Sequence, residues 1–347
     1  MDKPLRKGWT TGACAAAAAK AAWTALTTGA FHDPVTILLP RGERPSFPLS
    51  RAVFGDGWAE AGVIKDAGDD PDVTHGAEII VRMERGAPGG GLVFQAGPGV
   101  GRVTLPGLPL AVGEPAINPG PRRQIADNLG GPVDAVATIA IPGGVALAAG
   151  TMNGRLGIQG GLSILGTTGI VIPYSCSSWI HAIHSGIDVA RASGLGHVAG
   201  CTGKTSEATV RRLHGLEEQA MIDMGGFAGG LLKYLRRHPL PRLTLGGGFA
   251  KMAKLAAGEL DLNSRAAAVD IAWLAGQLER LGAPAALRAE AAASPTAARL
   301  LSLAGDLPLG EAVARQARET ALAILAGGVA VDVVVVDRAG TVIGHAG

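Results

Sequence analysis

The chain has little that would let it work through bulk charge or ring stacking. Aromatic residues make up 4% and charged residues 17% of its 347 positions, and the formal net charge is only +2. A charge this close to zero cannot hold a polyanion, and so few rings offer no platform for an unpaired strand, which excludes nucleic acid as a partner. Cysteine is scarce as well: Cys14, Cys176 and Cys201 lie far apart with no CxxC pair. That argues against a disulfide framework or a zinc site and fits a reducing cytoplasm. Leucine-rich runs are missing. The uncharged windows 135–154 and 156–180 are cut by Pro142-Gly143-Gly144 and by repeated glycines, which excludes a membrane span. The early alanine run is interrupted by Lys20 and has no leucine core, so it predicts a folded helix rather than an export leader.

What is abundant is small. There are 53 glycines, and hydrophobic residues reach 47%, enough for real cores. The length suits two domains. Residues 1–155 read as an α+β domain rich in short strands and Gly/Pro loops. Its opening, TTGACAAAAAKAAWTAL, predicts a helix capped by Thr10 or Thr11, whose first-turn amides could also bind an anion. Short apolar runs such as VTILL, AEAGVI, AEIIVRM and GLVFQ follow, and Val133–Ala148 reads as strand, turn, strand. Residues 156–347 alternate helix and strand from about Ser177, which predicts a Rossmann-like, doubly wound α/β domain. Helices are expected from Arg265 to about Ala326, then a terminal β-hairpin.

Three stretches could carry chemistry. In Asn153–Ser175, Gly160, Gly161 and Gly166 with Ser163, Thr167 and Thr168 make a donor-rich segment suited to a phosphate, a carboxylate or the polar edge of a nucleotide-like cofactor. The alternative is a buried turn where backbones cross. In the loop KDAGDDPDVTHG, Asp66, Asp69, Asp70 and Asp72 crowd together without the DxDxDG spacing of a calcium site. They are either solvated Asx turns or acceptors for a ribose diol or a ring N–H, with His75 available for proton transfer; Asp66, Asp69 and His75 are the catalytic candidates. Arg122-Arg123 is either a solvated helix start or a fork for substrate carboxylates. Two weaker signals remain. Gly203-Lys204-Thr205 follows a strand, but Val198 stands where a phosphate-binding loop needs its first glycine. His181 and His184 share a helix face without a third metal ligand.

The succession TTGACAAAAAKAA, KDAGDDPDVTHGA, GPGVGRVTLPGL, VGEPAINPGPRR, NGRLGIQGGLSILGTTGIV and AKLAAG closely resembles the cobalt-precorrin-5B C1-methyltransferase family of the anaerobic cobalamin pathway. The resemblance spans Thr10 to Ser264. It departs at Leu262-Asn263-Ser264, where the family tends to have Thr-His-Ser, and at Thr202-Gly203-Lys204, where a Pro-Gly-Asn-like turn is usual. The resemblance implies S-adenosylmethionine as methyl donor and a cobalt-bearing contracted tetrapyrrole as acceptor, methylated at C1 to give cobalt-precorrin-6A. Cobalt would arrive with that substrate, so no protein metal site is required. Acetate and propionate groups on the macrocycle would call on Lys65, Arg122, Arg123 and Arg155, with Thr10 and Thr11 also assigned to substrate. Asp66, Asp69 or Asp70 would instead meet ring N–H groups, a ribose or the sulfonium, and Gly160 to Thr168 would contact the donor. Two other classes stay open: a small-molecule kinase or NTPase using Lys204, and a non-catalytic tetrapyrrole carrier. Self-association into a homo-oligomer is also left open.

Overall fold

The computed structural model describes residues 4–264, 266 and 268–347, and the chain divides into two units, residues 1–176 and 177–347. The boundary falls after Cys176 rather than Arg155. Three short ladders explain the shift: Ile158–Gln159 pairs with Arg102–Val103, Gly161–Leu162 with Gly99–Val100, and Ile170–Val171 with Gly8–Trp9. Each ties the glycine-rich stretch to the first unit.

The first unit is built on a buried alanine helix, α1 (Thr11–Thr28). Thr10 caps it, its side chain accepting from the Ala13 amide at 3.2 Å, and Gly29 closes it in the left-handed region. Alanine costs no side-chain entropy and keeps the helix thin. It therefore lies closely on a sheet of β1 (Arg51–Gly55), β2 (Trp58–Ile64), β3 (Glu78–Arg85), β4 (Leu92–Ala96) and β5 (Ala135–Ala140), ordered β1-β2-β3-β5-β4. The ladders are antiparallel except β5 with β4. Register aligns Ala59, Met83 and Ala137, then Ala61, Val81 and Ile139, so alternate residues form one buried face under α1. A second helix, α2 (Pro119–Asp127), also packs on α1. Val133–Ala148 is a correction: after β5 it forms a one-turn helix, Gly144–Ala148, not a second strand. The tight turn at Gly143 and close contact of Gly144 with the Gly99 backbone leave no room for an extended return.

The second unit has the expected alternation. Its elements are α3 (Cys176–Ala192), β6 (His197–Cys201), α4 (Lys204–His214), β7 (Met221–Asp223), α5 (Ala228–Arg237), β8 (Arg242–Gly248), α6 (Phe249–Ala256), α7 (Ile271–Arg280), α8 (Ala285–Ala292), α9 (Ala297–Ala304), α10 (Leu309–Leu325), β9 (Ala330–Val336) and β10 (Val342–Ala346). The helical expectation beginning at Arg265 starts outside the described residues. The sheet order is β7-β6-β8-β9-β10, parallel except for the last strand. Val331, Val333 and Val335 enter one core with α3, α5, α6 and α10, while Val334 and Val336 join Ala199, Cys201 and Val210 beneath α4. Helices thus cover both faces, which is why β9 is almost uninterrupted valine.

Asp332, 3% exposed, is the polar centre of the α4 face. It accepts from Thr244 Oγ1 at 2.9 Å and Arg242 Nε at 3.0 Å, and His214 Nε2 lies 3.1 Å away. Burial lowers the pKa of His214 and of His197, whose Nε2 lies 2.7 Å from Thr244 Oγ1.

The edge strand β10 is held on α10 by two facing glycines. A Cβ at Gly310 would lie 1.9 Å from the Ile343 carbonyl oxygen, and one at Gly344 would lie 2.1 Å from that of Gly310. Gly310→Ala therefore forces helix and strand apart. It is expected to cost about 1–3 kcal/mol, as overpacking does, read as a lower midpoint in urea unfolding of the full chain.

Candidate functional site

The acidic loop after β2 is folded by two internal cations. Lys65, 2% exposed, turns inward, and its Nζ donates to Asp72 and to Thr74 Oγ1. Asp72 is further bound by the Thr74 amide at 2.8 Å, and these contacts with Lys65 hold its pKa below the usual range although burial opposes this most strongly. Arg6 closes the other half. Its guanidinium grips Asp66 with both prongs, its amide donates to Asp69 Oδ2 at 2.6 Å, and its carbonyl accepts from the Asp69 amide at 2.9 Å. Gly68 makes this fit possible, because with φ +69° a Cβ there would stand 2.2 Å from the Arg6 carbonyl oxygen.

Of the three catalytic candidates, His75 and Asp66 lie side by side, and Asp69 is joined to Asp66 through Arg6. His75 Nδ1 lies 3.9 Å from Asp66 Oδ1 and accepts from the Ala67 amide at 3.1 Å. An amide can only donate, so neutral His75 carries its proton on Nε2 and presents an N–H rather than a lone pair. Asp66 is held at a pKa of about 2, first by the hydrogen bonds from Arg6 and then by the Gly68 amide. A carboxylate so acidic is a poor base at neutral pH. The loop thus offers carboxylate acceptors and, on His75, an Nε2–H donor.

The arginines differ in what is already bound to them. Arg122 donates from Nε to the Ile117 carbonyl at 2.8 Å and from Nη2 to Glu114 at 2.8 Å, and lies over the Phe94 ring. Arg123, on the same helix, is exposed and has no ion pair among the described residues. Arg155 is half-buried. Lys65 is spent on Asp72, so the structure gives it a folding role where substrate contact was expected. Thr10 is an N-cap and Thr11 is buried.

The glycine-rich stretch has its own structural reasons. A Cβ at Gly161 would lie 2.3 Å from the Gly99 carbonyl oxygen, and one at Gly166 would lie 2.3 Å from Thr10 Cβ. Ser163 Oγ donates to Asn153 Oδ1 at 3.3 Å and Thr168 Oγ1 to the Ile170 carbonyl at 3.2 Å. Thr167 and Gly160 are exposed. A backbone crossing therefore accounts for Gly161, the reading set beside the cofactor cradle, and packing on the Thr10 side chain accounts for Gly166. Gln124, absent from the sequence reading, donates from Nε2 to the Gly166 carbonyl at 2.7 Å, and its buried Oε1 has no hydrogen-bond partner among the described residues.

The turn at Gly203-Lys204-Thr205 is too short for phosphate wrapping. Only Thr202 and Gly203 separate β6 from α4, and Ser206 Oγ folds back onto the Gly203 carbonyl at 2.9 Å. Among the described residues no helix is long and apolar enough to cross a membrane. Nor is any group of three or more His, Cys, Asp or Glu among them placed to hold a metal ion.

Fold and side chains together define a two-unit α/β protein whose first unit carries a cation-locked acidic loop and, on α2, the exposed Arg123. The CbiD family profile matches residues 1–173, and the profile of its C-terminal domain matches residues 261–347. A Paramagnetospirillum magneticum protein named cobalt-precorrin-5B C(1)-methyltransferase is 61% identical, covering 99% of this chain and 99% of its own. A Halorhodospira halophila protein of the same name is 56% identical, with coverage of 99% and 95%. The crystal structure of the Archaeoglobus fulgidus cobalamin biosynthesis protein cbiD is 25% identical, with a TM-score of 0.39, over 74% of this chain and 82% of that one. The chain belongs to the CbiD family.

Arg6 could have been noticed from the basic pair Arg6-Lys7 just ahead of the Thr-rich turn, but no local pattern ties it to Asp66, sixty positions on. Arg6→Ala should raise the pKa of the Asp66 carboxyl towards the ordinary aspartate range, the Gly68 amide still holding it somewhat below, read by NMR titration. Because the folded pKa is depressed, the stabilisation is present above the unfolded aspartate range and lost as pH falls towards about 2. Acid sensitivity of the loop should therefore be weaker in the variant.

Proposed function

We propose that the protein is a methyltransferase that moves the methyl group of S-adenosylmethionine to C1 of cobalt-precorrin-5B, giving cobalt-precorrin-6A, in the cytoplasm. The supporting observation is similarity at 61% identity along essentially the whole chain to a protein of that name. Cobalt belongs to the substrate. Arg123 meets peripheral carboxylates of the macrocycle bidentately. Asp66 and Asp69, held by Arg6, accept from ring N–H groups, while the His75 Nε2–H donates to a carboxylate or carbonyl.

Transfer from sulfonium sulfur to carbon is an in-line displacement: the C1–CH3 bond forms as the S–CH3 bond breaks, and S-adenosylhomocysteine leaves with the electron pair. The macrocycle supplies the nucleophilic carbon. Aligning the reactants contributes up to about 7–11 kcal/mol in well-oriented systems. A strong protein base is therefore unnecessary, which agrees with a loop whose best-placed carboxylate is a weak one. The two-residue turn before Lys204 disfavours a kinase or NTPase.

The test is turnover of cobalt-precorrin-5B with S-adenosylmethionine and no ATP, followed by mass spectrometry. The acceptor should gain one methyl group. Arg123→Ala should weaken acceptor binding about tenfold, the usual effect of losing a charged hydrogen bond, with S-adenosylhomocysteine affinity unchanged. A protein that binds the macrocycle but never alkylates it would be a carrier instead.

A further inference from the structure

We propose that the methyl donor binds at the carboxyl edge of the second unit's parallel sheet, with Asp223 holding its ribose and Trp179 stacking on its adenine. The proposal rests on the donor assignment above and moves the donor away from Gly160–Thr168, where Gly161 and Gly166 are taken up by close contacts with the Gly99 backbone and the Thr10 side chain.

Open α/β sheets bind ligands outside the carboxyl ends of their strands, where the strand order reverses. Here β6 connects outward through α4 to β7 on one side, and β8 lies on the other, so the reversal falls between β6 and β8. The turn after β6 is Thr202-Gly203, and β7 ends in Asp223, twenty positions beyond Gly203. A carboxylate at the end of the second strand, about 20 residues after the glycine turn, is the arrangement that accepts both hydroxyls of an adenosine ribose.

Three contacts show that these groups share one edge. The Gly225 amide donates to the Cys201 carbonyl at 3.1 Å, joining the ends of β7 and β6. Trp179 donates from Nε1 to the Asp223 carbonyl at 2.9 Å, and its ring lies over Gly225, where a Cβ would approach it to 3.1 Å. The ring is thereby fixed at the end of β7, on the backbone of Asp223 and over Gly225, while 45% of the residue stays exposed. An indole anchored by its N–H yet left open to solvent is suited to stack on a purine. Lys251, at the start of α6, donates to the Thr202 carbonyl at 2.9 Å. Burial, and then the neighbouring Lys254, lower its pKa, while Asp223 lies within electrostatic reach and opposes that shift. That position suits the carboxylate of the donor's amino-acid arm.

The experiment is calorimetric titration of the full chain with S-adenosylhomocysteine, using ATP-Mg as a second probe, on the native protein, Asp223→Asn, Trp179→Phe and Thr167→Ala. The native protein should bind S-adenosylhomocysteine and not ATP. Asp223→Asn should weaken binding about tenfold or more, Thr167→Ala should leave it unchanged, and the ligand should quench tryptophan fluorescence in the native protein but not in Trp179→Phe. Both site variants are conservative, and circular dichroism checks that each is folded. Native affinity in folded Asp223→Asn, with equal quenching in Trp179→Phe, would overturn this location while leaving the donor assignment intact. Absence of binding by the native protein, or ATP binding of equal strength, would overturn the donor assignment and this site with it.

Discussion

A Cβ at Gly8 would lie 2.0 Å from the Ala67 backbone, and one at Gly99 would lie 1.9 Å from the Ile141 carbonyl oxygen. The first unit depends on such crossings. They let the segments 8–9, 99–103 and 158–171 pair in two-residue ladders too short to be stable alone. The same economy of side chains governs α1, where a run of buried alanines brings a helix down on β2 and β3. Removing Cβ atoms and keeping side chains small allows close approach without voids, and dispersion over many such contacts adds to the packing of the buried Ile, Val and Leu residues around α1.

Charge is used with the same thrift. Lys65 and Arg6 are committed to Asp72 and Asp66, so the loop's carboxylates serve first to fold it. Fixing acceptors in this way costs nothing at the moment of reaction, which is what a positioning catalyst needs. Under the proposed function, the pairing of Asp66 with Arg6 and of Asp72 with Lys65 lets these carboxylates lie near a polyanionic ligand, with Arg123 assigned to that ligand.

Much of the fold was legible because period and punctuation agree in the second unit. Strand runs such as HVAGC and VAVDVVVV, separated by glycine turns and helical stretches, matched the observed β6 and β9 closely. In the first unit, β1 (Arg51–Gly55) carries little sequence signal, being exposed and short of alternating apolar residues. GVALA reads as strand as readily as helix because five apolar residues fit either period. The site was legible in part. Asp66, Asp69 and His75 do share one loop, but the sequence could not tell that Lys65 faces inward, since burial of a lysine depends on Asp72 and Thr74 being folded against it. The glycines of 153–175 carry the same ambiguity: a crossing and a cradle ask for the same residue, and only the neighbouring backbone separates them.

Methyl transfer to C1 is read most directly by NMR of the product formed from cobalt-precorrin-5B and S-adenosylmethionine labelled in its methyl carbon. A single labelled methyl resonance correlated with C1 is expected. Label at another ring position, or an unlabelled macrocycle after incubation with the native protein, would contradict it.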